Sequence, residues 1–302
     1  MQGFIGLTRR NVKLYFKDFS SVLFSLLTSI IVFVLYLLFL KGTFVDAVES
    51  SMKGLESLVN KDDIDMFVNM ILLVGILGSA MITIPYNCLS TIVKDRERKV
   101  DYDILATPVK RWQIILSYLT AAVISSFLMT SLILTIGLVV LSALGNMHIS
   151  ALSVLAAYGI VFMGCLSSSA LFMIVVQFFK TSSAAGAFFG ILSSAAGFVI
   201  GAYIPVSQFS STIQTVCNIF PASQICALLR NALLNGITDE INVSIGGVDN
   251  GIFIEEIRKA MTFNAYVFEK TLSVNTMCIY VLAFTAVSLI VTVALYKKAY
   301  KK

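Results

Sequence analysis

The stretch that decides the fold covers residues 112–179: WQIILSYLTAAVISSFLMTSLILTIGLVVLSALGNMHISALSVLAAYGIVFMGCLSSSALFMIVVQFF. These 68 residues contain no Asp, Glu, Lys or Arg. About 20 apolar residues span the hydrocarbon of a bilayer, so the stretch is long enough for two crossings. The turn signal Gly145-Asn146-Met147-His148 divides it. In lipid the backbone must satisfy its own hydrogen bonds, so we predict two membrane-spanning helices.

The same pattern extends over the whole chain. Of its 302 residues, 58% are hydrophobic and 13% are charged, whereas soluble domains carry about 25% charge. We therefore predict an all-α membrane protein with a single transmembrane domain over residues 1–302. The six predicted spans are residues 21–40, 66–93, 112–144, 149–179, 182–205 and 274–296.

Residues 1–20 precede the first span and are basic on one side. Arg9, Arg10, Lys13 and Lys17 fall on an arc of roughly 100° when the segment is drawn as a helix. Apolar residues occupy the rest of the circumference. This pattern predicts an amphipathic helix that lies in the membrane interface, with its basic face toward anionic headgroups.

The basic residues also indicate an orientation. With the N-terminus in the cytoplasm, the cytoplasmic segments hold 15 of the 22 Lys and Arg residues, and the external segments hold 7. Positive charge accumulates on the cytoplasmic side of membrane proteins. We therefore expect both termini to be cytoplasmic in a multi-pass protein of the cell membrane.

The last external loop is predicted to cover residues 207–273. No charge occurs between Lys180 and Arg230, so we interpret residues 208–234 as one or two short re-entrant helices. Further along, Ile241, Val243 and Ile245 alternate as in a short strand. Cys217 and Cys226 can form a disulfide if their backbones approach, but two free buried thiols are the favoured interpretation.

Small residues recur along the fifth predicted span. Gly186 and Gly190, and then Gly197 and Gly201, are each separated by three residues. Such spacing lets another helix approach closely. The partner helix belongs either to this chain or to a second subunit.

Several chemistries have no support in the sequence. It contains no G-x-x-x-x-G-K-[ST] run, so we expect no ATP hydrolysis by this chain itself. Its single histidine, His148, belongs to no zinc-type spacing, and we expect no cofactor, metal or nucleic acid. The predicted spans lack charged residues, which disfavours an ion-coupled carrier. A self-contained secondary carrier or channel remains the alternative to a subunit driven by a partner.

The loop at residues 94–111 carries six basic and four acidic residues. We predict a short helix through Leu105, then a new helix with Thr107 as N-cap and Pro108 at its first position. A surface of both signs is suited to docking a protein partner. A solvated loop that only sets topology is the other interpretation of these residues.

The sequence of this loop also resembles that of a known protein family. Asp95-Arg96-Glu97 followed by ILATPVKR at residues 104–111 resembles the first cytoplasmic loop of ABC type-2 transporter permeases. The order of an amphipathic helix, six spans and a large final external loop is similar too. That loop contains Phe220-Pro221-Ala222 and Leu228-Leu229-Arg230, as in the external helices of the family. One departure is Lys99, where the family often has Gly.

The resemblance implies an exporter subunit. Such permeases pair as homodimers or heterodimers in the membrane, commonly of bacteria, and each docks a separate ATP-binding subunit, two copies per complex. The implied cargo is an amphipathic peptide, a drug-like molecule or a lipid-like molecule. The residues implied to contact the ATP-binding subunit are Arg96, Glu97, Asp101, Asp103 and Pro108.

Overall fold

A computed structural model describes residues 2–51, 59–246, 249–268 and 270–299 of the chain. The helices of these residues are α1 (Gln2–Lys17), α2 (Phe19–Leu35), α3 (Lys41–Ser51), α4 (Lys61–Glu97), α5 (Val100–Ala106), α6 (Arg111–Leu144), α7 (Ala151–Val176), α8 (Ser182–Val199), α9 (Ser211–Ile219), α10 (Pro221–Ile245), α11 (Ile252–Ala260) and α12 (Val274–Ala299). A π-helical segment, Tyr36–Leu40, joins α2 to α3, and a 3-10 turn, Val206–Gln208, precedes α9. Two short strands, β1 (Tyr266–Val267) and β2 (Lys270–Thr271), form an antiparallel pair.

The centre of the bundle is α4. It packs against α2, α6, α7, α8 and α10, and nearly all of its apolar stretch is buried. By contrast α6, α8 and α12 leave most of their apolar surface uncovered. Leu132 and Ile136 of α6, for example, are 54% and 55% exposed. Outward-facing residues of this kind suit contact with lipid, and the predicted class, an all-α membrane protein, is confirmed.

Five helices are long and apolar enough to cross a membrane: α4, α6, α7, α8 and α12. Two bent pairs pass the same test, α1 with α2 at 71° and α9 with α10 at 92°, which brings the number to as many as seven. The six predicted spans fall within this range. The first, residues 21–40, corresponds to α2 and the π-helical segment. The interfacial position of α1 stays a prediction, although the bend at Asp18 separates it from α2.

The predicted external loop is mostly helical. Two helices, α9 and α10, follow the 3-10 turn, but α10 continues to Ile245 and does not end near Leu234. The predicted strand at residues 241–245 is therefore wrong. Ile237, Ile241 and Ile245 lie four residues apart on the buried face of α10, while Val243 is 70% exposed. Residues four apart share one face of a helix, so the spacing of Ile241 and Ile245 fits a helix and does not require a strand. Cys217 and Cys226 are both free.

A buried arginine connects α10 to two neighbouring helix ends. Arg230 is 2% exposed, and its guanidinium donates to the carbonyl oxygens of Ile200 and Thr262, each at 3.1 Å. Ile200 follows α8, and Thr262 follows α11. Carbonyls at a helix C-terminus carry partial negative charge, so they stabilise a cation there. Arg230 therefore holds the ends of α8 and α11 against α10.

Candidate functional site

The first four residues of the predicted cytoplasmic loop form the last turn of α4. This helix continues through Glu97, and the Arg98 N–H donates to Lys94 O to close the turn. Lys99 then reverses the chain in a left-handed conformation, with φ 62° and ψ 14°. The short helix α5 begins directly after it. A helical extension past residue 93 matters because it directs Lys94, Asp95, Arg96 and Glu97 to four different sides of α4.

Lys94 contacts the junction between α1 and α2. Its Nζ lies 2.6 Å from Oδ2 of Asp18 and 3.0 Å from Oγ of Ser21. Asp18 is the N-cap of α2, where it accepts a hydrogen bond from the Ser21 N–H. Burial acts to raise the pKa of Asp18, but the hydrogen bonds from Lys94 and Ser21 outweigh it and lower the pKa to about 2. The contact therefore joins α4 to the bend between α1 and α2.

Asp95 forms the most buried ion pair of the site. The Arg10 guanidinium of α1 donates to its two carboxylate oxygens at 2.7 and 2.9 Å, and the Tyr118 hydroxyl of α6 donates at 2.5 Å. The Asp95 side chain is 8% exposed, and that of Arg10 is 31% exposed. This bidentate geometry is the strong form of an arginine–carboxylate pair. It fastens the amphipathic helix α1 to α4 and α6.

Arg96 and Glu97 contact the connection between α7 and α8. Arg96 donates to the carbonyl oxygens of Gln177 at 2.9 Å and Phe179 at 2.8 Å, just after α7 ends. The Glu97 carboxylate accepts hydrogen bonds from the Ser182 N–H, at 3.2 Å, and from the Ser182 hydroxyl, at the start of α8. These hydrogen bonds lower the pKa of Glu97. Each charge lies at the helix end that favours its sign.

The last turn of α4 is therefore a junction of charged residues, which we call the α4 hub: Lys94, Asp95, Arg96 and Glu97. Its side chains contact α1, the α1–α2 bend, α6, the end of α7 and the start of α8. Arg96 and Glu97 are predicted to contact a partner, but both bind groups of this chain. Lys94 and Asp95 are not among the predicted contact residues. The alternation of basic and acidic residues at 94–97 is the sequence feature that distinguishes this turn.

The other predicted contact residues surround α5. Ile104 of α5 is buried and Asp101 is half-buried, whereas Asp103 and Pro108 are exposed. Tyr102, which the sequence analysis did not select, is 67% exposed. The prediction that Thr107 and Pro108 begin a helix is wrong. Thr107 caps the end of α5 by donating to Ile104 O at 2.6 Å, and α6 starts only at Arg111 because residues 107–110 are extended or turn backbone.

The four glycines predicted to pack helices have different surroundings. Gly186 and Gly190 lie on α8, and no described atom outside the adjoining helix backbone comes within 4 Å of the place where a Cβ would be. Gly197 packs against the ring of Tyr203, where a Cβ would approach to 2.3 Å. Gly201 lies beyond α8, in the turn that follows the helix. Its φ of +72° lets the chain turn after the helix.

An all-α bundle with a largely buried central helix, outer helices whose apolar surface is uncovered and a charged turn at the end of α4 defines a polytopic membrane protein. The family comparison agrees with this class. Residues 51–294 match the model of the ABC-2 family transporter protein, and the chain belongs to this family. It is accordingly an ABC-type permease subunit. No curated protein matches the chain.

Proposed function

We propose that this chain is the membrane subunit of an ATP-driven exporter in a bacterial cell membrane, with both termini in the cytoplasm. Two such subunits, identical or related, form the transport path, and two separate ATP-binding subunits bind and hydrolyse ATP. Family membership supports this proposal, as does the lack of a phosphate-binding loop in the sequence. The cargo is an amphipathic peptide, a drug-like molecule or a lipid-like molecule, because the spans offer an apolar path.

The observation that carries the proposal is the connection between α5 and the α4 hub. Tyr102, Asp103 and Pro108 form an exposed surface on and after α5, which we call the α5 surface. Only Arg98 and Lys99 separate α5 from the hub. A force applied to the α5 surface by an ATP-binding subunit would therefore reach α1, α6, α7 and α8 through direct polar contacts. Such rigid elements convert a local shift into a movement of the bundle.

We infer different tasks for the residues first expected to contact the partner. Asp103 and Pro108 belong to the α5 surface and dock the ATP-binding subunit, with Tyr102 as an aromatic anchor and Asp101 beside them. Arg96 and Glu97 act within the chain and transmit the movement. Pairing of two permeases uses the open face of α8 around Gly186 and Gly190, where a second helix can approach closely.

The docking surface is tested by copurification with the ATP-binding subunit. Tyr102→Ala combined with Asp103→Lys should reduce the amount of bound partner about tenfold or more, because an aromatic anchor and a charge contact are both removed. The matched control is Glu255→Lys on α11, an exposed acid far along the chain from the loop. If the variant at Tyr102 and Asp103 still binds the ATP-binding subunit, the α5 surface is not the docking surface. The same conclusion follows if the control at Glu255 weakens binding equally.

Transmission is tested separately from docking. Arg96→Gln should leave the affinity for the ATP-binding subunit nearly unchanged, since its guanidinium bonds to Gln177 and Phe179 of this chain. The amount of cargo moved for each ATP hydrolysed should fall. If Arg96→Gln instead removes the partner and leaves the remaining complexes fully coupled, the residue is a docking contact.

A further inference from the structure

A cavity of about 620 Å³ lies at the end of the bundle remote from α5, where α4 begins and α6 ends. Its charged lining combines four carboxylates with two basic groups: Asp62, Asp63, Asp65, Glu240, Lys41 and His148. With His148 neutral, the four carboxylates and one ammonium give a net charge of −3. Lys41 pairs with Asp65 at 3.1 Å, and His148 lies 3.5 Å from Glu240. Among the described residues, no ion pair involves Asp62 or Asp63.

The cavity is assembled by a close backbone contact. The His148 carbonyl touches α10 at Gly236, where a Cβ would lie only 1.7 Å from the oxygen. Gly236 therefore allows the connection between α6 and α7 to approach α10, which brings His148 to Glu240. Four separate parts of the chain contribute charged groups to one space.

An apolar groove adjoins this cavity. It has a volume of about 290 Å³, lies between α2, α4 and α6, and shares Asn69 with the acidic cavity. Its walls include Phe33 of α2, Leu72 of α4 and Val140 of α6. Phe33 and Val140 are 43% and 51% exposed on the outer surface of the bundle. Because Asn69 lines both spaces, the acidic cavity and the apolar groove lie next to each other.

A buried tyrosine beside the acidic cavity has an unused polar group. Tyr36 is 2% exposed, and its hydroxyl has no hydrogen-bond partner among the described residues. Tyr36 also begins the π-helical segment Tyr36–Leu40 that leads to Lys41, and such segments are frequent at functional sites.

Structural roles account for only part of the acidic lining. Asp62 and Asp63 lie in the first turn of α4, where carboxylates stabilise the helix dipole. This effect does not extend to Glu240, which belongs to α10, or to Asp65 in the next turn. A metal ion is not the suitable ligand, since no group of three His, Cys, Asp or Glu side chains in the described ranges is placed to hold one.

We propose that the acidic cavity and the apolar groove together bind a cationic amphiphile. Its ammonium or guanidinium head lies among the carboxylates, and its apolar chain lies in the groove along α4 and α6. Together the two spaces have the size typical of small-molecule sites. The net negative charge selects a cation, and salt screens this attraction because the carboxylates are partly exposed. Only the further statement that this ligand is exported cargo rests on the proposed function; binding itself does not.

The test uses the full chain in nanodiscs of neutral phosphatidylcholine, without any ATP-binding subunit. The probes are a long-chain primary amine with a photoreactive group in its chain and the uncharged alcohol of the same length. We expect the amine to label peptides that carry Leu72 and Val140 about threefold or more above the alcohol. Added salt should reduce the difference, since exposed charges are screened.

Two variants that neutralise carboxylates of the cavity, together with one control, distinguish binding in the cavity from an ordinary lipid contact. Asp62→Asn with Asp63→Asn, and independently Glu240→Gln, should lower labelling by the amine toward the level of the alcohol. The second variant leaves the carboxylates in the first turn of α4 intact, so it remains informative if the first one unfolds. The control is Glu255→Gln with Glu256→Gln on α11, which should change nothing. Equal labelling by amine and alcohol identifies an ordinary lipid contact and overturns the proposal, as does amine labelling that neither acidic variant changes.

Discussion

Replacing Asp95 by Asn should loosen the attachment of α1 to the rest of the bundle. The carboxylate accepts two hydrogen bonds from Arg10, at 2.7 and 2.9 Å, and one from Tyr118. Asn keeps one oxygen acceptor but loses the negative charge and turns a donor toward the guanidinium. Arg10 is then left half-buried without a counterion, which is the costly way to break such a pair.

The burial and hydrogen bonding of this pair set the expected coupling energy between Arg10 and Asp95. Hydrogen bonds to a charged group contribute about 1.5–3 kcal/mol each, and the Asp95 side chain is only 8% exposed. Water reaches Arg10, whose side chain is 31% exposed, and screening there reduces the gain. We therefore expect a coupling energy between Arg10 and Asp95 of about 2 kcal/mol.

The assay is a double-mutant cycle on the free energy of unfolding in detergent micelles, with Arg10→Gln, Asp95→Asn and the double variant. The control cycle uses Lys41→Gln and Asp65→Asn, because that pair is 3.1 Å apart but its side chains are 37% and 49% exposed. The control coupling should lie at about 0–1 kcal/mol. A coupling for Arg10 and Asp95 below about 0.5 kcal/mol would refute the reasoning that this pair holds α1 in place.

Three further outcomes follow from backbone conformation and charge. Lys99→Gly should raise the free energy of unfolding by about 1 kcal/mol, because residue 99 has a φ of 62°, which strains a residue that carries a Cβ. Lys99→Ala keeps the Cβ and should not raise it. Equal effects of the two substitutions would contradict backbone strain at this position. Gly201→Ala should cost more than Gly246→Ala in the same measurement, since both have positive φ but only Gly201 has close neighbours; the reverse order would contradict the packing. The pKa of Asp18 is lowered from 3.8 to about 2, so its stabilising contact with Lys94 is present above that range and lost as the pH falls through it. Asp18→Asn should remove this part of the acid dependence, and an unchanged acid profile would show that the pair contributes nothing.

Some errors of the sequence analysis share one cause. The pattern at residues 241–245 was ambiguous because Ile241 and Ile245 satisfy both a period of two and a helical spacing of four. The Thr107-Pro108 corner has the composition of a helix start, yet Thr107 hydrogen-bonds backward to Ile104. In both places the local residue types permit two structures, and packing of the neighbouring segments selects one.

The sequence by itself determined the membrane class, because the transfer of an apolar helix into lipid depends on a continuous run of residues. It also identified the loop at residues 94–111 from its charges and its resemblance. Only the tertiary structure decided what those charges contact: Arg96 and Glu97 meet the ends of α7 and α8, more than 80 residues further along the chain. The acidic cavity likewise combines Lys41 with Glu240. No local sequence pattern predicts these long-range contacts, since they arise from the way helices distant in sequence pack around α4.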